Sequence, residues 1–402
     1  MRSIVIVGAG QAGISCAAKL RASGFDGDVA LIGEEPQPPY QRPPLSKAYL
    51  LGEMTRERLY IRPESYYEKE RINLRTGARV TGIDRENCEI VLMDERIGYD
   101  ALVLTTGSVP HRLPAKIGGD LAGVFTVRDL SDVDAMAPHF KENVRVMIVG
   151  GGYIGLEAAA VAAKQGLRVT LVEREARILQ RVAAPQTSDY FRALHKSHGV
   201  DIREGVGLEC LKGEGAVSAA ELSDGTLLPV DFVVVGIGIA PATRLASDAG
   251  LEIENGIKVD ANGRTSDPSI WAAGDCASFP CKNKRIRLES VPHAIDQAEL
   301  VAANILGAGT DYVAKPWFWS DQYDVKLQIA GLNTGYDTVV ERRGAGQVAS
   351  FWYYRGRQLL AVDAMNDPRG YMIGKRLIEA GKSADKTLVA NPETDLKTLM
   401  AR

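Results

Sequence analysis

The chain has 402 residues, 45% of them hydrophobic and 25% charged, with a net charge of −3. That length exceeds one ordinary domain and can bury a core that needs neither metal nor disulfides. The slightly negative charge excludes a global basic field for nucleic acid or an anionic membrane, and no apolar run is long enough for a signal segment or a transmembrane helix, so a cytoplasmic protein is expected.

Arg2–Val7 is an apolar, β-branched run that leads into Gly8-Ala9-Gly10-Gln11-Ala12-Gly13. This pattern predicts a strand, a tight turn and a helix to about Ser23, followed by a second strand over Asp28–Ile32 ending at Gly33-Glu34. Residues 36–44 (PQPPYQRPP) can be neither helix nor central strand, because proline fixes φ and removes donors. A rigid loop of this kind often lies against a ligand. A helical segment is expected over Leu45–Leu51, then polar strand-like pieces through Val80, and strands over Glu89–Met93 and Leu102–Thr105.

The opening pattern then recurs. Arg145–Val149 precedes Gly150-Gly151-Gly152-Tyr153-Ile154-Gly155, a helix to about Gln165 and a strand over Arg168–Val172 ending at Glu173. Two copies of one strand–turn–helix–strand unit indicate a duplication. Phe232–Val235 and Ile270–Ala273 are further short apolar strands. Past Pro316, alternating aromatic segments (Leu327–Ile329, Val348–Tyr354, Leu359–Val362) predict an antiparallel sheet with a terminal helix over Tyr371–Ala380. The expected fold class is α/β: two Rossmann-like dinucleotide-binding domains plus a C-terminal α+β domain. Residues 1–110 and 237–316 form the first, 111–236 the second and 317–402 the third.

Each glycine motif fits G-x-G-x-x-G in the right context, strand before and helix after, with an acid about twenty residues on. Gly8 and Gly150 permit the turn, Gly10 and Gly152 let backbone approach a pyrophosphate, and Gly13 and Gly155 let helix pack on strand. The helix N-terminus supplies free N–H groups and a positive dipole end. Glu34 and Glu173 stand where a carboxylate accepts ribose hydroxyls. Glu173 would repel a 2′-phosphate, which favours NADH over NADPH against the counter-signal of Arg174 and Arg177, whose other reading is a solvated face. Two cradles in one chain imply two nucleotides that react with each other. NADH with FAD is the pair with a chemical purpose, since flavin takes a hydride and releases electrons singly.

Three further stretches carry a resemblance. Leu104-Thr105-Thr106-Gly107 closes the first nucleotide domain, and residues 265–275 (TSDPSIWAAGD), with Gly274 and Asp275, resemble the second FAD-binding motif of two-dinucleotide flavoproteins. Residues 39–47 (PYQRPPLSK), 289–292 (ESVP) and 316–323 (PWFWSDQY) resemble the NADH-dependent ferredoxin reductases of the putidaredoxin reductase family, which serve bacterial haem monooxygenases and ring-hydroxylating dioxygenases. The resemblance runs over essentially the whole chain. It implies non-covalent FAD contacted by Ala12, Glu34, Arg42, Lys47, Val80, Thr106, Gly107, Arg128, Gly274, Asp275 and Val291. It places Gly152, Tyr153, Ile154, Gly155, Glu173 and Gly238 on the NAD side. By the same resemblance Lys47 lies beside flavin N5 with Glu157 as its ionic partner, Tyr153 covers the flavin where nicotinamide stacks, and Trp319 stands on the opposite side. The implied acceptor is a 2Fe-2S ferredoxin, with the protein a monomer or weak dimer that binds neither nucleic acid nor membrane.

Two competing readings follow. A disulfide, peroxide or rubredoxin reductase could use the same fold; the first two need a cysteine beside the flavin. The five cysteines (Cys16, Cys88, Cys210, Cys276, Cys281) include the spaced pair Cys276 and Cys281, but glutathione-reductase-like enzymes carry their redox pair near the N-terminus, so these read as incidental. A redox-sensing flavoprotein is the other competitor. His195 and His198 are expected on a solvated helix face, without metal. A basic rim for an acidic partner is sought among Arg56, Arg58, Arg62, Arg71, Lys282, Lys284, Arg285 and Arg287, on charge clustering alone.

Overall fold

A computed structural model describes residues 1–93 and 95–400. The chain divides into two compact units, one of Met1–Gln41, Arg56–Val109 and Ile239–Pro316, the other of Arg42–Thr55, Pro110–Gly238 and Trp317–Arg402. The last two residues of the expected C-terminal domain lie outside the described residues.

The first unit is built on a five-stranded parallel sheet in the order Ile270–Ala272, Ala101–Leu104, Ser3–Val7, Asp28–Ile32, Ile72–Arg75. Its central strands are apolar apart from Ser3 at the strand start, because helices and loops cover both faces, as parallel sheets require. Helix Gln11–Ala22 lays Ile14, Ala17 and Leu20 into a core with Ile4 and Ile6, joined by Ala298, Val301 and Ala302 of helix Val291–Ile305. Between the second and third strands of the chain the strand-like pieces expected from sequence are instead helices, Arg56–Leu59 and Glu64–Lys69. Pro63 precedes the latter, Glu64 opens its first turn and Lys69 closes its last, an arrangement that suits the helix dipole.

The second unit holds another five-stranded parallel sheet, ordered Asp201–Glu204, Arg168–Glu173, Arg145–Val149, Phe232–Val235, Val124–Thr126. It also holds a five-stranded antiparallel sheet, Trp317–Gln322, Val325–Gly331, Gln358–Met365, Ala349–Arg355, Thr338–Arg343. Helix Pro368–Glu379 covers the latter sheet, capped by Asp367, which accepts from Gly370 N at 2.8 Å. A Cβ on Gly374 would stand 2.6 Å from Val362, so the helix lies as close to the strand as glycine permits. No described helix is long and apolar enough to cross a membrane.

Asp363 of the antiparallel sheet is buried, and its Oδ2 accepts from the Tyr353 hydroxyl and, at 2.7 Å, from Thr187 Oγ1. Burial outweighs both bonds and raises this carboxyl to about 6, against about 3.9 in an unfolded chain. The folded state therefore holds the proton more tightly. Stability contributed by this group is present below about pH 4 and is lost as pH rises toward 6. Asp363→Asn, which keeps one acceptor oxygen and cannot ionise, is expected to gain on the wild type across that window by about 3 kcal/mol. Thermal midpoints of the two proteins at pH 4 and pH 7.5 read this directly, and parallel pH profiles would rule it out.

Candidate functional site

The first glycine turn shows which of its glycines the protein itself requires. Gly8 has φ +116°, and a Cβ there would meet Thr105 O at 2.2 Å; a Cβ on Gly13 would meet Gly8 O at 2.0 Å. Gly10 is different. It caps helix Gln11–Ala22 with φ −95° and ψ −162°, a backbone any residue adopts, and its Cβ would meet nothing within 4 Å. No side chain caps this helix and no acid sits in its first turn, so its leading N–H groups and dipole remain available to an anion. Packing within the protein therefore does not require a glycine at this position. Ala12 lies against the later motif, its Cβ 3.1 Å from where a Gly274 Cβ would be. Gln297 Oε1 holds Gly274 N at 2.9 Å, while its own buried Nε2 finds no protein acceptor. Glu34 pairs with Arg79 at 3.0 Å, both well exposed, so this is a weak surface ion pair.

The second turn repeats the geometry. Gly150 has φ +105° and would clash with Gly236 O at 2.4 Å, Gly155 would clash with Gly150 O at 2.0 Å, and Gly152, with φ −80° and ψ −179°, faces open space as an uncapped helix N-terminus. Glu173 does more than the sequence implied. Its Oε2 accepts from Gly151 N at 2.7 Å and its Oε1 from Glu175 N at 2.8 Å, so it staples the glycine turn to the end of its strand. Of the two arginines weighed against NADH, Arg177 is no solvated side chain: it donates to Ser188 Oγ at 2.6 Å and Ala183 O at 2.9 Å. Arg174 is largely exposed. Both cradles fit a dinucleotide pyrophosphate.

Lys47 and Glu157 are brought together within the second unit. The short helical turn Leu45–Tyr49 kinks at Lys47 (φ −137°, ψ −113°), and the lysine Nζ lies 2.9 Å from Glu157 Oε1. Glu157 is buried; burial raises its carboxyl above the usual range, opposed by Lys47, Ser320 and Ser46. Ser320 Oγ donates to Oε1 at 2.7 Å and Ser46 Oγ to Oε2 at 3.0 Å. The match has a simple origin. Tyr153 and Glu157 are four residues apart on helix Tyr153–Lys164, about 6 Å along its axis. Phe318 and Ser320 are two apart on strand Trp317–Gln322, about 6.6 Å. One face of the helix therefore registers with one face of the strand, Tyr153 against Phe318 at 4.9 Å between ring centres and Glu157 against Ser320. The Tyr153 hydroxyl is buried without a protein partner. Trp319 falls on the other strand face beside Trp317, 5.6 Å between ring centres.

The remaining candidates divide between the units. In the first, Thr106 Oγ1 donates to Ala242 O at 2.7 Å, Gly107 sits in a turn at φ +70°, Asp275 accepts from Ser108 Oγ at 2.9 Å, Val80 is half-buried and Val291 opens its helix behind the Ser290 cap. In the second, Arg42 Nη1 donates to Arg128 O at 2.8 Å, Ile154 is 41% exposed at the head of its helix, and Gly238 (φ +104°) accepts from His111 N at 3.0 Å. Two expectations are corrected. His195 is fully buried and hydrogen-bonded, because its helix face packs against strand Trp317–Gln322; His198, just past the helix end, is the exposed one. Arg285 and Arg287 do not belong to a solvated rim, since their guanidinium groups bond backbone carbonyls of Val259, Ser278 and Asp275. Cys16 and Cys276 are buried free thiols, both raised by burial, Cys16 to about 12.

Comparison with known proteins accords with this geometry. Residues 2–298 match the family described as pyridine nucleotide-disulphide oxidoreductase, and residues 317–400 match a reductase C-terminal domain. A ferredoxin–NAD(P)(+) reductase of Sphingomonas sp is 45% identical, covering 99% of this chain and 97% of the relative. Putidaredoxin reductase of Pseudomonas putida is 41% identical with 99% and 97% covered. The solved covalent putidaredoxin reductase–putidaredoxin complex superposes with a TM-score of 0.96 at 40% identity, over 100% of this chain and 98% of the other. The chain belongs to the pyridine nucleotide-disulphide oxidoreductases, and within them to the ferredoxin reductases that carry the reductase C-terminal domain. It is an oxidoreductase that works with FAD and NAD(H).

Proposed function

We propose that the protein takes hydride from NADH onto FAD and passes the electrons singly to a 2Fe-2S ferredoxin that feeds a haem monooxygenase or a ring-hydroxylating dioxygenase. FAD, when bound, supplies the conversion of a two-electron donor into one-electron steps. The chain's own residues bind, align and stabilise. On this reading residues 1–110 and 237–316 hold FAD, 111–236 hold NADH, and 317–402 shape the edge the ferredoxin meets.

The observation that carries the reading is the Lys47–Glu157 pair, 2.9 Å apart and held by two serines. The Glu157 carboxylate gives the half-buried lysine ammonium a counter-charge at ion-pair distance. Such a cation stabilises the negative charge that hydride brings to the flavin, and no nucleophile or general acid is required. Tyr153 covers the nicotinamide place and Trp319 the acceptor side. Cys16 and Cys276 suit a thiol mechanism poorly, since both are buried and raised and neither neighbours Lys47 in the chain.

Stopped-flow mixing of the NADH-reduced enzyme with 2Fe-2S ferredoxins and with rubredoxins, at low and high salt, tests the acceptor. Fast, salt-sensitive reduction of a 2Fe-2S ferredoxin is expected. A preference for rubredoxin, or thiols titrating after reduction by NADH, would redirect the assignment.

A further inference from the structure

The Lys47–Glu157 pair is the end of a longer chain of contacts. The Tyr323 hydroxyl lies 3.1 Å from His195 Nδ1, and His195 Nε2 lies 2.8 Å from Gln322 Oε1. Gln322 Nε2 donates to Ser320 Oγ at 3.2 Å, and Ser320 Oγ donates to Glu157 Oε1 at 2.7 Å. His195, Gln322 and Ser320 are each 0% exposed, so bulk solvent does not compete for these bonds.

The direction of every bond follows from the first. An ionised carboxylate only accepts, so Ser320 spends its proton on Glu157 and must accept at its oxygen. The Gln322 amide nitrogen supplies that bond, which leaves its carbonyl to accept. His195 must then carry its proton on Nε2, and its Nδ1 accepts from Tyr323. Burial pushes His195 down to about 4, so the ring is neutral near pH 7 and can fill both roles. His198, stacked on Tyr323 with ring centres 3.7 Å apart, adds a further push against a charged His195. Lys47 is the charged group facing Glu157.

We propose that His195, Gln322 and Ser320 are positioning residues for the Lys47–Glu157 pair: a one-directional hydrogen-bond relay whose aligned dipoles keep Glu157 anionic and aimed at the lysine. The inference rests on the reading of Lys47 as the cation beside the flavin. Burial favours the protonated acid at Glu157, which would leave the lysine without its counter-charge. Hydrogen bonds to the charged form work the other way, and linked donors polarise one another.

Three measurements on the FAD-loaded full chain decide it. Nitrogen-15 NMR with labelled histidine should find His195 as the neutral Nε2–H tautomer from about pH 6 to 8; the Nδ1–H tautomer or an imidazolium there overturns the relay. Gln322→Leu should move the acid limb of the pH profile for flavin reduction by NADH upward by about one pH unit, because Glu157 then protonates more readily. An infrared acid C=O band abolished by Glu157→Gln should shift with it. An unmoved limb and band overturn the proposal. Should Gln322→Leu not fold, His195→Leu should give the same shift and His195→Gln, whose amide N–H reaches the Nε2 position, should reverse it; equal behaviour of these two variants also overturns it. Lys47→Met separates the two readings. If it reduces flavin at the wild-type rate, the lysine's role at the cofactor is refuted, while the tautomer and the Glu157 band still report on the relay.

Discussion

Reduction of bound FAD by NADH is expected to slow by about 10²- to 10³-fold in Lys47→Met, the range for loss of one preorganised charge-stabilising group. Methionine keeps the length and apolar stem of lysine, so the loss is one of charge. Glu157 would then lack its partner and, being buried, would take up a proton in place of remaining an isolated anion. The fold is therefore expected to survive. Yellow FAD should stay bound, since the glycine cradle of the first unit does not involve this residue. Stopped-flow loss of flavin absorbance under saturating NADH measures the chemical step, and titration of NADH separates it from binding. A rate within threefold of wild type would remove Lys47 from the reaction. Glu157→Gln should fall in the same direction by a smaller factor, because the lysine keeps a polar neighbour.

Gly10→Ala and Gly152→Ala form the second large expected effect, and their value lies in what they spare. Both positions have negative φ and no protein atom within 4 Å of an added Cβ, so neither fold nor stability should change appreciably. The added methyl intrudes only on a ligand pressed against the backbone, an overpacking of about 1–3 kcal/mol, or roughly fivefold to 150-fold in affinity. Gly10→Ala should lose FAD on dilution, whereas Gly152→Ala should keep FAD and weaken NADH. The neighbours at the third glycine behave oppositely. Gly13→Ala and Gly155→Ala drive a Cβ to 2.0 Å from a backbone carbonyl and should destabilise the protein itself. Isothermal titration and thermal midpoints on the four variants give a crossed pattern. If Gly10→Ala and Gly152→Ala bind both nucleotides normally, the phosphate-cradle reading fails.

Much of this is legible in the amino-acid sequence. Asp28–Ile32, Arg145–Val149 and Phe232–Val235 appear as strands end to end as expected, because runs of β-branched residues bounded by glycine or polar turns carry a local signal. The helices Arg56–Leu59 and Glu64–Lys69 were missed because each is too short to show a helical period. Arg285 and Arg287 read as surface charge in sequence, where the carbonyls that capture them are invisible. Ser320 and Gln322 offered one faint clue: they recur at period two on a strand, on the face that is buried, where apolar residues would be expected.

The amino-acid order alone determined both glycine turns, the acids that follow them and the family to which they belong, since each depends on residues close together in the chain and on backbone conformations glycine alone permits. It also indicated Lys47 and Glu157, through motif context. Only the tertiary structure decided what surrounds them. The rise of a helix turn and the pitch of a strand agree closely enough to bring Glu157 to Ser320, and through Gln322 to His195, across long stretches of chain. Partners that distant leave no periodicity for a sequence to show, and a histidine on a polar helix face looks solvated until the strand that buries it is in place.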